Sequence, residues 1–124
     1  MSEMELMRAI QVQASTLGHR LFRNNSGVGW AGEQVRVHKP TMVLMKEGDV
    51  LIRGARALHA GLCPGSSDLI GLTNQGRFLA CEVKSPKKSP TTGQESFLEM
   101  VRRMGGIGIV VKTPEDFCWV NSDV

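Results

Sequence analysis

The chain has 124 residues, 41% of them hydrophobic, and a mean hydropathy of -0.12, which fits one globular domain (1–124) with one core and no room for a second. No apolar run approaches the roughly 18 residues of a membrane span, and the N-terminus lacks the basic-then-apolar order of a secretory leader. A net charge of +3 and a sequence pI near 9.0 lean toward anionic partners, although the distribution of charge matters more than its sum.

Residues 2–17 read as an amphipathic helix, with Leu6, Ile10, Ala14 and Leu17 recurring at three- and four-residue steps. Ser2 followed by Glu5 fits a capping box, and Gly18 is a natural stop. Glu5 thus has a local task, whereas Glu3 lies on or beside the buried stripe. Arg20–Arg23 is a short strand candidate, and residues 24–32, rich in Gly and Asn, read as a loop. Exposed amides there suit phosphate; a simple connection is the alternative. From Gln34 to Arg56, short apolar runs alternate with Arg36, His38, Lys39, Lys46, Arg53 and Arg56, and turn signals at Lys39-Pro40 and Glu47-Gly48-Asp49 suggest a hairpin or an excursion. The local excess of positive charge can contact phosphates or be an ordinary solvated face.

Residues 65–84, GSSDLIGLTNQGRFLACEVK, carry the densest chemistry. Two apolar strands flank Asn74-Gln75-Gly76. If Thr73 and Arg77 bound a three-residue turn, Leu72 faces Phe78, Ile70 faces Ala80, and Asp68 faces Glu82. Directly opposed side chains lie about 4.5–5.5 Å apart at Cβ, and period-two alternation puts Lys84 on the face of Glu82. Paired acids repel, and burying them is costly unless a cation compensates. Mg²⁺ does so with one or two carboxylates, waters and substrate oxygens, and the Val83 carbonyl is a further candidate ligand. The competing reading is an exposed cross-strand ion pair worth a fraction of a kcal/mol.

Residues 85–93, SPKKSPTTG, form a basic loop, and a helix from about Gln94 to Met104 follows, with Phe97, Leu98, Val101 and Met104 inward and Gly105-Gly106 ending it. Its stripe, extended backwards, aims the Gln94 amide at the end of the sheet, to hold Lys84 or a water. Ile107–Val111 is a buried strand, Thr113-Pro114-Glu115-Asp116 starts a helical turn, and Trp119 packs the tail. Cys63, Cys81 and Cys118 form no C-x-x-C pair, which argues for reduced thiols in a cytoplasmic setting, with Cys81 a small buried hydrophobe.

Together, Glu3 in the first helix, Arg23-Asn24-Asn25-Ser26-Gly27, Gly65-Ser66-Ser67-Asp68-Leu69-Ile70-Gly71, Glu82-Val83-Lys84, Gln94 and Gly105-Gly106 resemble the PD-(D/E)xK nuclease superfamily. Within it they resemble the VRR-NUC family of phage-type nucleases related to Holliday junction resolvases. The resemblance implies a restriction-endonuclease-like α/β fold in α-β-β-β-α-β order, with a mixed central sheet flanked by helices. It also implies Mg²⁺ or Mn²⁺ dependence and a homodimer acting on branched DNA, in the host cytoplasm if the protein is phage-encoded. Asp68, Glu82, Lys84, Gln94 and Glu3 are then the catalytic set, with Asp68, Glu82, Val83 and Glu3 toward the metal. Arg23, Asn25, Ser26, Ser66, Ser67, Lys87 and Lys88 are the expected DNA contacts. Ser67 stands where the superfamily's naming proline would precede Asp68, and Glu3 or Glu5 is a choice of register. Two rivals are a catalytically idle nucleic-acid-binding module on the same fold and a small interaction protein whose charged hairpin is ordinary surface.

Overall fold

Ser2 opens the first helix through the predicted reciprocal cap: its hydroxyl accepts from the Glu5 amide at 3.1 Å, and the Glu5 carboxylate accepts from the Ser2 amide at 3.2 Å. The computed structural model describes residues 2–36, 39, 40, 42 and 44–117, with the backbone alone for 33–36. His38, Cys118 and Trp119, and with them the expected packing of the tail, lie outside the described residues.

The elements in chain order are α1 (Glu3–Thr16), β1 (Arg20–Arg23), β2 (Gly27–Arg36), β3 (Val50–Ala60), β4 (Leu69–Leu72), β5 (Phe78–Val83), α2 (Thr92–Arg103) and β6 (Ile107–Val111). They divide into two compact units, Met1–Ser26 with Gly61–Val124, and Gly27–Ala60. The first unit keeps the α-β-β-β-α-β order expected from sequence, with β2 and β3 inserted between its first two strands.

In the first unit the sheet runs β1-β4-β5-β6. Its first three strands are antiparallel neighbours, and β6 lies parallel to β5, so the sheet is mixed. A parallel neighbour needs a crossover, and α2 provides it. Alternation along β5 feeds both faces. Leu79, Cys81 and Val83 join Leu69, Ile107, Ile109 and Val111 against Leu6, Ile10 and Ala14 of α1. Ala80 meets Phe97, Leu98 and Val101 of α2 on the other side. Each fully buried aliphatic or Phe side chain contributes about 1.5–3 kcal/mol, which makes β5 the strand least free to shift.

Some details depart from expectation. Met104 is 77% exposed, because it is the C-cap of α2 and lies beyond the last turn that faces the sheet. The stretch read as a loop over 24–32 is strand from Gly27 onward: hydrogen bonding to β3 overrides the poor strand propensity of its glycines. A turn of 3₁₀ helix spans 114–117, where the Asp116 carboxylate accepts from the Lys112 and Thr113 amides at 2.9 Å each and Phe117 is fully buried.

In the second unit β2 and β3 form a two-stranded antiparallel ribbon. The predicted Glu47-Gly48 turn precedes β3: the Lys46 amide donates to the Asp49 carboxylate at 2.9 Å, and the Asp49 amide to the Lys46 carbonyl at 3.0 Å. Among the described residues no helix is long and apolar enough to cross a membrane.

Candidate active site

The β4–β5 turn fixes everything that follows. The Thr73 amide donates to the Arg77 carbonyl at 2.8 Å, and Leu72 pairs with Phe78, Ile70 with Ala80, and Leu69 with Cys81. One further step in that register sets Asp68 across from Glu82. The Asp68 carboxylate accepts from the Val83 amide at 2.9 Å, so it is held in place by the backbone of the opposite strand.

Glu82 is the one charged residue in the buried middle of the sheet among the described residues, at 1% exposure. Its Oε1 lies 3.9 Å from Lys84 Nζ, while its Oε2 is buried with no hydrogen-bond partner among the described residues. Burial first, then the neighbouring Asp68, push the Glu82 carboxyl from 4.5 up to about 8; the Lys84 ammonium opposes this and Glu3 adds to it. The same burial, reinforced by Asp68 and Glu82, raises the Cys81 thiol, so Cys81 stays a protonated core residue rather than a nucleophile.

Of the predicted residues, Asp68, Glu82 and Lys84 come together. Glu5 is committed to the cap of α1. Glu3 is exposed and lines a cleft of about 270 Å³ with Leu6, Lys112, Pro86 and Ser85, the residue after Lys84, and its charge reaches Glu82. No third His, Cys, Asp or Glu among the described residues joins the two carboxylates in a cluster of metal-binding size. A wider hollow of about 790 Å³, lined by Arg8, Gln11, Arg20 and Phe22, holds none of these groups.

Gln94 takes part in the cap of its own helix. It is the third residue of α2, and its amide oxygen accepts from the Thr91 amide at 2.8 Å while the Thr91 hydroxyl accepts from the Gln94 amide at 3.2 Å. The oxygen expected at Lys84 or a water is taken by this capping box, which the T-x-x-Q spacing signals. Ser66 and Ser67 are 5% and 0% exposed, and the Ser66 hydroxyl donates to the Cys63 carbonyl at 2.7 Å. Both hydroxyls are therefore buried in this structure. Arg23, Asn25, Ser26, Lys87 and Lys88 are all exposed.

Asn24, part of the motif quoted from sequence but given no role there, positions the loop before Asp68. Its Nδ2 donates to Ser66 Oγ at 2.7 Å and to the Ser67 carbonyl at 2.9 Å; its Oδ1 accepts from the Leu62 amide at 3.2 Å. Its own amide donates to the Asp68 carbonyl at 2.8 Å. Gly65, at φ +82°, lets that loop pass the first turn of α2, where an added Cβ would come within 2.9 Å of the Gly93 backbone.

The pattern of the VRR-NUC domain matches residues 8–113. The chain belongs to the VRR-NUC family. No curated protein matches it. The VRR-NUC match brings a nuclease-type function with DNA as substrate, and the matched stretch holds Asp68, Glu82 and Lys84 and begins after Glu3.

The donor set of this VRR-NUC domain fits a hard divalent cation. Two carboxylates stand together, one presents a buried oxygen without a partner among the described residues, and burial makes the Glu82 carboxyl resist ionisation, with the Lys84 ammonium 3.9 Å away. A cation of the Mg²⁺ kind asks for one or two carboxylates and completes its shell with water and substrate oxygens.

Proposed function

We propose that this chain is a metal-dependent DNA endonuclease of the PD-(D/E)xK type. The observation that carries it is the unpartnered Glu82 oxygen buried beside Asp68, on a carboxylate whose Oε1 lies 3.9 Å from Lys84. Asp68 and Glu82 would hold Mg²⁺ or Mn²⁺, with the Val83 carbonyl as a further ligand and Glu3 acting through water. When bound, the cation polarises a phosphodiester and lowers the pKa of a water.

The chain's own part begins with orientation. Asp68, pinned by the Val83 amide, fixes one wall of the site. Lys84, its side chain 15% exposed, directs its ammonium at the phosphate and stabilises charge growing on the non-bridging oxygens. The water oxygen forms a new bond to phosphorus and gives its proton to bulk water, while the bond from phosphorus to the leaving oxygen breaks and that oxygen takes up a proton from solvent. One end then carries phosphate and the other hydroxyl. Arg23, Asn25, Ser26, Lys87 and Lys88 supply surface donors for the backbone, which position DNA without reading its sequence.

Branched DNA is the proposed preferred substrate, handled in the cytoplasm by a homodimer of two 13.6 kDa chains. A panel of labelled Holliday junction, flap, duplex and single strand, incubated with Mg²⁺, should show the junction or flap cut faster than the duplex. Sedimentation of the same sample should show a dimer. Equal rates on all four DNAs would remove the structural preference, and cleavage by a species sedimenting only as the monomer would remove the dimer.

A further inference from the structure

Among the described residues no side chain of the β2–β3 ribbon joins either hydrophobic cluster, and every residue of β3 from Arg53 to Ala60 is exposed. An isolated two-stranded ribbon is marginal in water and gains from a partner. The unit holds Arg36, Lys39, Lys46, Arg53 and Arg56 against Glu33, Glu47 and Asp49, so it carries +2 of the chain's +3.

The register sorts those charges. Arg56 pairs with Ala31 and Arg53 with Glu33, although the two arginines are three residues apart and their partners only two. A bulge at Gly54-Ala55 absorbs the extra residue, with Gly54 at φ +58°. Across from it stands Gly32, where an added Cβ would come within 2.6 Å of the Arg53 carbonyl. Simple alternation would put Arg53 and Arg56 on opposite faces; the bulge puts them on one. Toward the Gly27 end that face carries Gly29 and Ala31 along β2 and Leu58 and Ala60 along β3, with no acid among them. The other face, over the same stretch, carries Val28 and Trp30 across from His59 and Ala57, without a fixed charge. Neither arginine has an ion-pair or hydrogen-bond partner among the described residues; Glu33 stands opposite Arg53 in the register.

We propose that the β2–β3 ribbon is a duplex-DNA arm, in which the bulge aims Arg53 and Arg56 together at the phosphate backbone. This rests on DNA being the substrate of the chain and adds a contact surface outside the Asp68–Lys84 site. A two-stranded ribbon is an element that the roughly 12 Å major groove admits. Two guanidiniums on one face, among mostly small residues, supply the sequence-independent contacts that hold it there.

The test is duplex binding in EDTA as a function of salt, with folding checked by circular dichroism. Each lost phosphate contact lowers the slope of log K against log salt by about 0.9, so the Arg53→Ala/Arg56→Ala protein should lose about 1.8. Arg53→Lys/Arg56→Lys, which keeps the charge, should retain the slope. Arg8→Ala/Arg103→Ala, which removes the same charge elsewhere, should also retain it. An unchanged slope in the first protein, or an equal loss in the Arg8/Arg103 control, would overturn the arm. A wild type that binds duplex with these effects but never cuts any DNA would overturn the catalytic site and leave the arm standing. A wild type that retains no duplex at low salt would overturn both.

Discussion

Replacing Lys84 by Ala should lower the rate of DNA cleavage in Mg²⁺ by about 10²–10³-fold, the range for removing one donor aimed at developing charge. DNA binding in EDTA should be retained, because the surface contacts to the backbone are elsewhere. The side chain is 15% exposed and lies 3.9 Å from Glu82, so its loss also leaves that carboxylate without its nearest cation. The Glu82 carboxyl should then be still harder to ionise, and the variant should need a higher pH for its residual activity. Cleavage at the wild-type rate, measured by single-turnover kinetics on labelled DNA, would exclude Lys84 from the reaction.

Glu82→Gln has the second large effect, with opposite signs in the absence and presence of metal. In the metal-free protein the folded state holds the Glu82 carboxyl at about 8 against 4.5. An acid raised on folding contributes stability that is fully present below its unfolded pKa and is lost as pH rises through the folded one. Metal-free wild type should therefore lose stability as pH climbs from about 4.5 to about 8, and the Gln protein should lack that part of the slope. With Mg²⁺ at a hundredfold excess over its Kd, wild type should gain about 2.7 kcal/mol, and the Gln protein should lose most of this gain. Thermal melts across pH, with and without Mg²⁺, read both effects. Parallel curves for the two proteins would mean that Glu82 neither resists ionisation nor meets the cation.

The site was legible where local rules fix geometry. A three-residue turn between Thr73 and Arg77 sets the register of β4 and β5, and that register alone brings Asp68 opposite Glu82. The Ser2–Glu5 cap was equally local, and it left Glu3 as the acid whose charge reaches Glu82. Long-range partners were not legible. Ser66 and Ser67 looked like loop donors because Asn24, which holds the Ser66 hydroxyl and the Ser67 carbonyl, stands more than 40 residues earlier. Gln94 could be placed on the right helix from its period, yet its amide oxygen was claimed by Thr91 three residues before it. The start of β2 was hidden by glycines at 27, 29 and 32, whose strand conformation depends on pairing with β3 rather than on their own propensity. The bulge at Gly54-Ala55 had no sequence signal strong enough to show that Arg53 and Arg56 share a face.

The most direct measurement is cleavage of a branched DNA by wild type and by Asp68→Asn, each in Mg²⁺ and in EDTA. Wild type should cut in Mg²⁺ and be silent in EDTA, and Asp68→Asn should be silent in both while retaining its fold and its DNA binding. Cleavage by Asp68→Asn at the wild-type rate, or by wild type in EDTA, would contradict a metal site built on Asp68 and Glu82.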